Sequence, residues 1–300
     1  MNLHVYYDLR FLPNTFDFAP FLAGANAYRE KIGCEGIELT LIASSFRKRT
    51  EREYLYDEFE KKYRLQSILI RLPLLINTIK KFSVLLDEVP NLVSYPFYPP
   101  NYNLVEPKNM SMYFHIRTLR EKFLAYKEAL KPFAAPKHAI ELVKKKYEEN
   151  FYTLTLRGHR FQKERNSNLK AWKKFLEYCD SLEKRVIIIP DMEDLYSTQH
   201  YVELPGCKDL VASVDITFRM ALYALAIDNF CVSNGTSNLL IHSKYPYKMF
   251  GLVCPNVSNC TYEFVSNATG LEWNQRIEFQ AENQSIIWER DDFDIIKNYI

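Results

Sequence analysis

Three hundred residues, 47% hydrophobic and 25% charged, describe an ordinary globular chain with core material for one large or two medium domains. A formal net charge of +2, the balance of 39 basic and 37 acidic side chains, gives no bulk electrostatic case for nucleic-acid binding. Six cysteines without a CxxC pair, and six histidines without zinc spacing, point to buried free thiols in a reducing compartment.

The N-terminus, "MNLHVYYDLRF", opens on a strand-like run and shows no signal-peptide core, so the expected location is the cytoplasm. Strand-like runs follow at "LHVYYD" (3–8), "GIELTLIAS" (36–44) and "LVSYPF" (92–97). Between the first two, Phe18, Phe21, Leu22, Ala25 and Tyr28 recur at helical spacing, and Gly33 stands where a helix-ending glycine belongs. Strand, helix, strand is the signature of a parallel sheet. Residues 50–88 read as helical with a break near Pro73, and 98–112 as a Pro- and Asn-rich loop.

The apolar run "LQSILIRLPLLINTI" (65–79) contains Arg71 and Pro73 and is too short to span a bilayer. Its basic surroundings, 61–81, leave two readings: a core-packed helix, or a surface that touches a membrane at its inner face.

A second alternation begins after the helical pattern 136–150. "FYTLTLR" (151–157) reads as a strand, 168–182 as a helix, "RVIIIPD" (185–191) as a strand buried on both faces, and 209–226 as a helix. "NFCVS" and "YKMFGLV" are strands around a turn, "SNGTSN", that hands over to a helix. The whole chain therefore reads as α/β, with two doubly wound, Rossmann-like domains. The expected division is 1–140 and 141–300, with a hinge in 130–150 and a last helix (291–300) that could cross back to the first domain.

Each polar cluster of the second half follows a strand. After "FYTLTL" comes "RGHRFQKERNSN", with Arg157, His159, Arg160, Lys163 and Arg165; after "RVIII" comes "PDMED", with Asp191; after "NFCV" comes Asn234-Gly235-Thr236-Ser237. Guanidinium groups pair with a diphosphate, a helix start adds backbone N–H donors, and Gly235 would let a ligand approach the backbone. A carboxylate such as Asp191 can hold sugar hydroxyls. Plainer readings stand beside these: a solvated basic loop, an Arg157–Asp191 bridge, helix capping by Asp191, and an i,i+4 pair of Asp215 with Arg219. The "DFD" at 292–294 reads as helix capping and not as a metal motif.

The order "LTLRGHR … IIIPD … DITFRMALYALAIDNFCVSNGTSNLLIHSKYP" resembles the nucleotide-binding half of GT-B glycosyltransferases, and within them the fucosyltransferase-like proteins found with bacterial surface polysaccharides. The resemblance spans most of 140–290. Where true fucosyltransferases carry paired arginines, Arg157 and Arg160 are separated by Gly158-His159, which leaves the donor sugar open. The resemblance implies two facing domains, 1–140 on the acceptor side and 141–300 binding the nucleotide-sugar. It implies metal-independent transfer of a sugar from a nucleotide diphosphate, GDP-sugar favoured, to a glycan or lipid-linked acceptor. Arg157 and Arg160 would then compensate the leaving diphosphate with help from Asn234, Gly235, Thr236 and Ser237. A catalytic base would come from Asp8 or Asp17, with His4 and His159 behind them. A nucleotide-sugar epimerase or hydrolase of the same fold, and a non-catalytic nucleotide-sugar-binding protein, remain open.

Overall fold

The computed structural model describes residues 1–46, 56–86, 96–100, 102, 113–197 and 199–300. Its contacts divide the chain into two compact units, Met1–Ala134 and Ala135–Ile300.

Unit 1 is built on four parallel strands: β1 (Leu3–Asp8), β2 (Ile37–Ile42), β3 (Ile79–Leu85) and β4 (Phe97–Tyr98), in the order β3-β2-β1-β4. Helix α1 (Phe18–Lys31) carries the chain from β1 to β2, and every residue from Phe18 to Ala27 is buried. Gly33 ends that helix at φ +71°, the left-handed backbone that glycine adopts without strain.

The helical reading of 50–88 needs correction. Residues 47–55 lie outside the described part. Beyond them the chain forms α2 (Glu58–Arg64), a π turn (Leu65–Leu69), a 3-10 turn (Leu72–Leu75) and then strand β3. Lys80 and Lys81 are exposed on β3, which is an edge strand, where lysines keep an unpaired backbone from recruiting another chain. Leu65, Ile68, Leu69, Leu72, Leu75 and Ile76 are all buried, so the apolar side of 61–81 packs inside the protein. Among the described residues no helix is long and apolar enough to cross a membrane. Of the predicted strand 92–97 only the end is described, and β4 starts at Phe97.

Unit 2 holds six parallel strands: β5 (Phe151–Thr155), β6 (Arg185–Ile189), β7 (Cys207–Lys208), β8 (Asn229–Val232), β9 (Tyr247–Phe250) and β10 (Gln284–Ile286). Their order is β10-β9-β8-β5-β6-β7. Counted from the unit's first strand this is the doubly wound order 6-5-4-1-2-3, the expected class. Helices α3 (Ile116–Phe123) and α4 (Lys137–Lys146) bring the chain from unit 1 to β5, and α5 (Leu169–Ser181) joins β5 to β6.

Trp172 and Phe175 of α5 pack on Phe230 of β8 and Phe250 of β9, in one cluster with ring centroids 5.0–6.5 Å apart. Truncating one such buried ring to alanine costs about 3–5 kcal/mol.

The helix expected over 209–226 is two. Val211–Val214 stops at Asp215, whose carboxylate caps the next helix, Ile216–Leu225, by accepting from the N–H groups of Thr217 and Phe218. Arg219 turns back and donates to Ala212 O at 2.7 Å. The last helix (Phe293–Ile296) packs on the core of unit 2. Ile296 is fully buried in the Trp172 cluster, and Tyr299 meets Phe250 edge-on at 5.6 Å.

All six cysteines are free thiols, as expected, and all but Cys207 are buried.

Candidate functional site

Because all six strands of unit 2 run the same way, their C-terminal ends share one edge of the sheet. The chain leaves β5 toward β6 on one side, while β8 lies on the other, so the strand order reverses between β5 and β8. Loops diverging at such a point leave a crevice where ligands bind.

The loop after β5 is tied down at both ends: Arg157 N donates to Ser167 Oγ at 2.8 Å, and Ser167 N to Arg157 O at 3.0 Å. Inside it lies the Arg157 guanidinium, only 7% exposed. It donates to Phe161 O (2.7 Å), Gln162 O (3.0 Å) and Asn166 Oδ1. Arg157 thus works as the internal frame of the loop. Arg160, 54% exposed at its side chain, remains at the surface, and Lys163 is exposed.

The acidic segment after β6 is bound to this loop. Asp191 caps the short helix Met192–Tyr196 through Glu193 N (3.1 Å) and accepts from Gly158 N (3.3 Å). Glu193 accepts from Arg160 N (2.7 Å), and its Oε2 lies 3.1 Å from Nε2 of His159. A Cβ at Gly158 would sit 3.0 Å from Cβ of Asp194, so a larger residue there would press the two strand-end segments apart by a few tenths of an ångström. The anticipated Arg157–Asp191 bridge is replaced by this Gly158–Asp191 contact.

In the turn after β8, Asn234 Oδ1 accepts from Ser237 N (3.0 Å) and from Thr236 Oγ1 (2.8 Å), while Ser237 Oγ donates to Asn234 O (2.6 Å). Asn234 thereby closes the turn that leads into the helix Ser237–Ile241. Gly235 is exposed and does not take a left-handed φ. Among the described residues the N–H groups of Gly235 and Thr236 have no acceptor.

Arg165 joins the two segments, donating to Gln162 Oε1 (3.0 Å) on its own loop and to Ser233 O (3.3 Å) at the end of β8. Arg290, beyond β10, reaches Glu164 O (2.6 Å) and Asn166 O (3.4 Å). Gln162 Nε2 donates to Asn259 Oδ1 (2.8 Å) in the segment after β9. Segments from four other strand ends, those of β6, β8, β9 and β10, therefore meet around the basic loop. Arg165 stands within the predicted polar loop, but nothing in its spacing marks it as the link, and Arg290 was not anticipated.

In unit 1, Asp8 ends β1 fully buried. Its carboxylate takes a two-pronged pair from Arg10 (Nη2–Oδ2 2.6 Å, Nε–Oδ1 3.0 Å), the Arg10 N–H (3.0 Å) and the Tyr102 hydroxyl (2.6 Å). The hydrogen bond to Asp8 raises the Arg10 pKa, and burial followed by the same carboxylate pushes the Tyr102 phenol up. Asp17 is half-buried at the start of α1 and accepts from Thr15 Oγ1 at 2.7 Å. His4 lies within β1, with Nδ1 3.8 Å from Glu38 of β2, away from the strand end.

Among the described residues no group of three or more His, Cys, Asp or Glu is arranged to hold a metal ion. No protein-family model matches the chain. No curated protein matches it either.

Among solved structures the chain is similar to the glycosyl transferase family 9 protein of Veillonella parvula (TM-score 0.49, 8% identity, covering 83% of this chain and 80% of that one). It is also similar to E. coli ADP-heptose LPS heptosyltransferase II (TM-score 0.46, 11% identity, 87% and 88% covered). A third is the iron-containing dodecameric glycosyltransferase TibC of enterotoxigenic E. coli (TM-score 0.45, 15% identity, covering 85% of this chain). The match spans 61% of the TibC chain. Likeness at this level says nothing of activity.

Proposed function

We propose that the chain is a glycosyltransferase that moves a sugar from a nucleotide-diphosphate donor to a hydroxyl of a glycan or lipid-linked acceptor. The observation that carries this reading is Arg165, which ties the basic loop after β5 to the turn after β8 at the switch point of unit 2. Arg160, Lys163 and Arg165 lie on one of these segments, and the unpaired N–H groups of Gly235 and Thr236 on the other.

Negative charge grows on the diphosphate as the glycosidic bond breaks, and fixed cations and N–H dipoles stabilise that charge more than the ground state. Arg160 and Arg165 are the phosphate ligands in this reading, with Arg157 holding the loop that presents them. Asn234 and Ser237 shape the turn. Asp191 keeps the β5 and β6 ends together, and its carboxylate is the candidate partner for a sugar hydroxyl. In this proposal the positive side chains do the work a divalent cation does elsewhere, and a GDP-sugar is the first donor to test. Asp17 is the better candidate base, since the Asp8 carboxylate already accepts from Arg10 N, Nε and Nη2 and from the Tyr102 hydroxyl.

That same saturation of Asp8 favours a second reading, a nucleotide-sugar-binding protein without transferase activity. A thermal-shift series with GDP, UDP, ADP, CMP and dTDP, with and without EDTA, tests the shared part. At a hundredfold excess over Kd a bound ligand stabilises by about 2.7 kcal/mol. A shift with one diphosphate that survives EDTA is expected, and no shift with any of them sinks both readings. Acceptor-dependent release of nucleotide from the donor then separates transfer from binding.

A further inference from the structure

Three aromatic rings gather where β9 and β10 end. Trp288, two residues beyond β10, lies 5.4 Å from Trp273 and 5.9 Å from Tyr262, and Tyr262 lies 5.9 Å from Trp273. Trp288 is fully buried and forms the floor, while Trp273 and Tyr262 are 45% and 38% exposed. The Nε1–H of Trp288 is buried without a hydrogen-bond partner among the described residues, an unusual state for a buried indole.

The cluster adjoins the basic loop through the chain on both sides. Asn259, three residues before Tyr262, accepts from Gln162 of that loop. Arg290, two residues after Trp288, donates to Glu164 and Asn166 of the same loop. A flat aromatic ligand joined to a diphosphate fits this order of chemistry: partly exposed indole and phenol rings, inclined 57° to one another, and guanidinium groups within a few residues along the chain.

We infer that Tyr262 and Trp273, seated on the buried Trp288, present the aromatic surface on which the base of the nucleotide donor stacks, next to the phosphate-binding loop. This rests on the donor reading above and adds to it the part of the site that recognises the base. Stacking on an aromatic side chain is tolerant of base identity, because every base offers a π face. The platform therefore supplies affinity. Choice among bases falls to polar groups around it.

The test compares ligands with and without a base on the whole chain. Affinities for GDP, ADP and UDP, and for inorganic pyrophosphate, are measured by calorimetry on the unmutated protein and on Trp273→Leu and Tyr262→Leu. Both side chains are partly exposed, and leucine keeps an apolar cover over Trp288; unchanged pyrophosphate binding serves as the check that each variant is folded. The unmutated protein should bind at least one nucleoside diphosphate about tenfold or more tighter than pyrophosphate, with quenching of tryptophan fluorescence. Trp273→Leu should lose that advantage, about tenfold in Kd, while pyrophosphate binding stays unchanged.

Nucleoside diphosphate affinity unchanged in both variants overturns the platform. So does an unmutated protein that binds pyrophosphate as well as it binds any nucleoside diphosphate, and in that case the phosphate loop survives. Binding of neither ligand to the unmutated protein removes the donor reading, and the platform falls with it.

Discussion

β1 and β5 hold equivalent places in their sheets. Each is flanked on one side by the strand that follows it in the chain, β2 or β6, and on the other by the strand entering after the order reverses, β4 or β8. A buried polar side chain stands at each end, Asp8 as the last residue of β1 and Arg157 two residues beyond β5. The difference lies in what answers the charge. Asp8 meets a cation, so the β1 end is closely neutralised. Arg157 donates to two backbone carbonyls and an amide oxygen at the base of a loop that adds Arg160, Lys163 and Arg165. The β1 end closes as an ion pair, whereas the β5 end leads into a basic loop in which Arg160 lies 3.9 Å from Glu193 of the next strand end.

The largest effect is expected at the β1 end. Asp8→Ala strips a fully buried carboxylate from Arg10 and leaves the Tyr102 hydroxyl without its acceptor. Breaking a buried ion pair by removing one partner costs about 3–5 kcal/mol, which chemical denaturation would read as a clear loss of midpoint. The comparison predicts that the folded Asp8→Ala protein still binds nucleoside diphosphate at unit 2 with unchanged Kd. Lost binding would show that the β1 end takes part in the donor site.

Arg157→Ala is the converse experiment, and its effect on stability should be smaller, about 2–3 kcal/mol, because the freed carbonyls of a surface loop can turn to water. Its effect on binding should be the greater, since Arg160 and Arg165 lose the frame that presents them. Arg157→Lys restores charge but cannot serve three acceptors at once, so it should recover little. Recovery of full affinity in the lysine variant would mean that Arg157 acts by charge on the ligand and not by holding the loop.

Much of the fold is legible because buried parallel strands leave continuous apolar runs, as "VIII" does in β6, and because α1 and α5 keep one apolar period. Shorter strands carry no such signal: β7 is two residues and β10 three. β3 reads as helix because Lys80 and Lys81 look like the charged end of an amphipathic segment, whereas they mark a sheet edge. The site is legible as a set of places, the segments after β5, β6 and β8, and not as a set of bonds. Gly235 draws notice by standing in a strand-to-helix turn, yet the steric need for glycine lies at Gly158, which only the position of Asp194 reveals. Arg165 and Arg290 act on partners 68 and 124–126 residues away in the chain, a relation that local spacing does not contain.

The smallest effect sharpens the comparison from a third position. Asp291, beside Arg290 on the segment that braces the basic loop, accepts from Asn168 N and Trp172 Nε1, each at 2.7 Å, and is 1% exposed. Here burial outweighs the hydrogen bonds and the nearby Arg290, and the carboxyl pKa is raised. The folded state then holds this proton to higher pH than the unfolded chain does, so stability falls as pH rises from the unfolded value, about 3.9, through the folded one. Asp291→Asn keeps an oxygen for both donors and removes the charge. Its melting temperature should exceed that of the unmutated protein at pH 7 by about 1–3 °C, on a scale of roughly 2–4 °C per kcal/mol for a chain of this size. The gap should close as pH drops below about 4, where the carboxyl is neutral in both states. An Asp291→Asn variant that melts lower than the unmutated protein at pH 7 would mean that the pair with Arg290 outweighs desolvation, making this strand end, like that of β1, one whose charge is already answered.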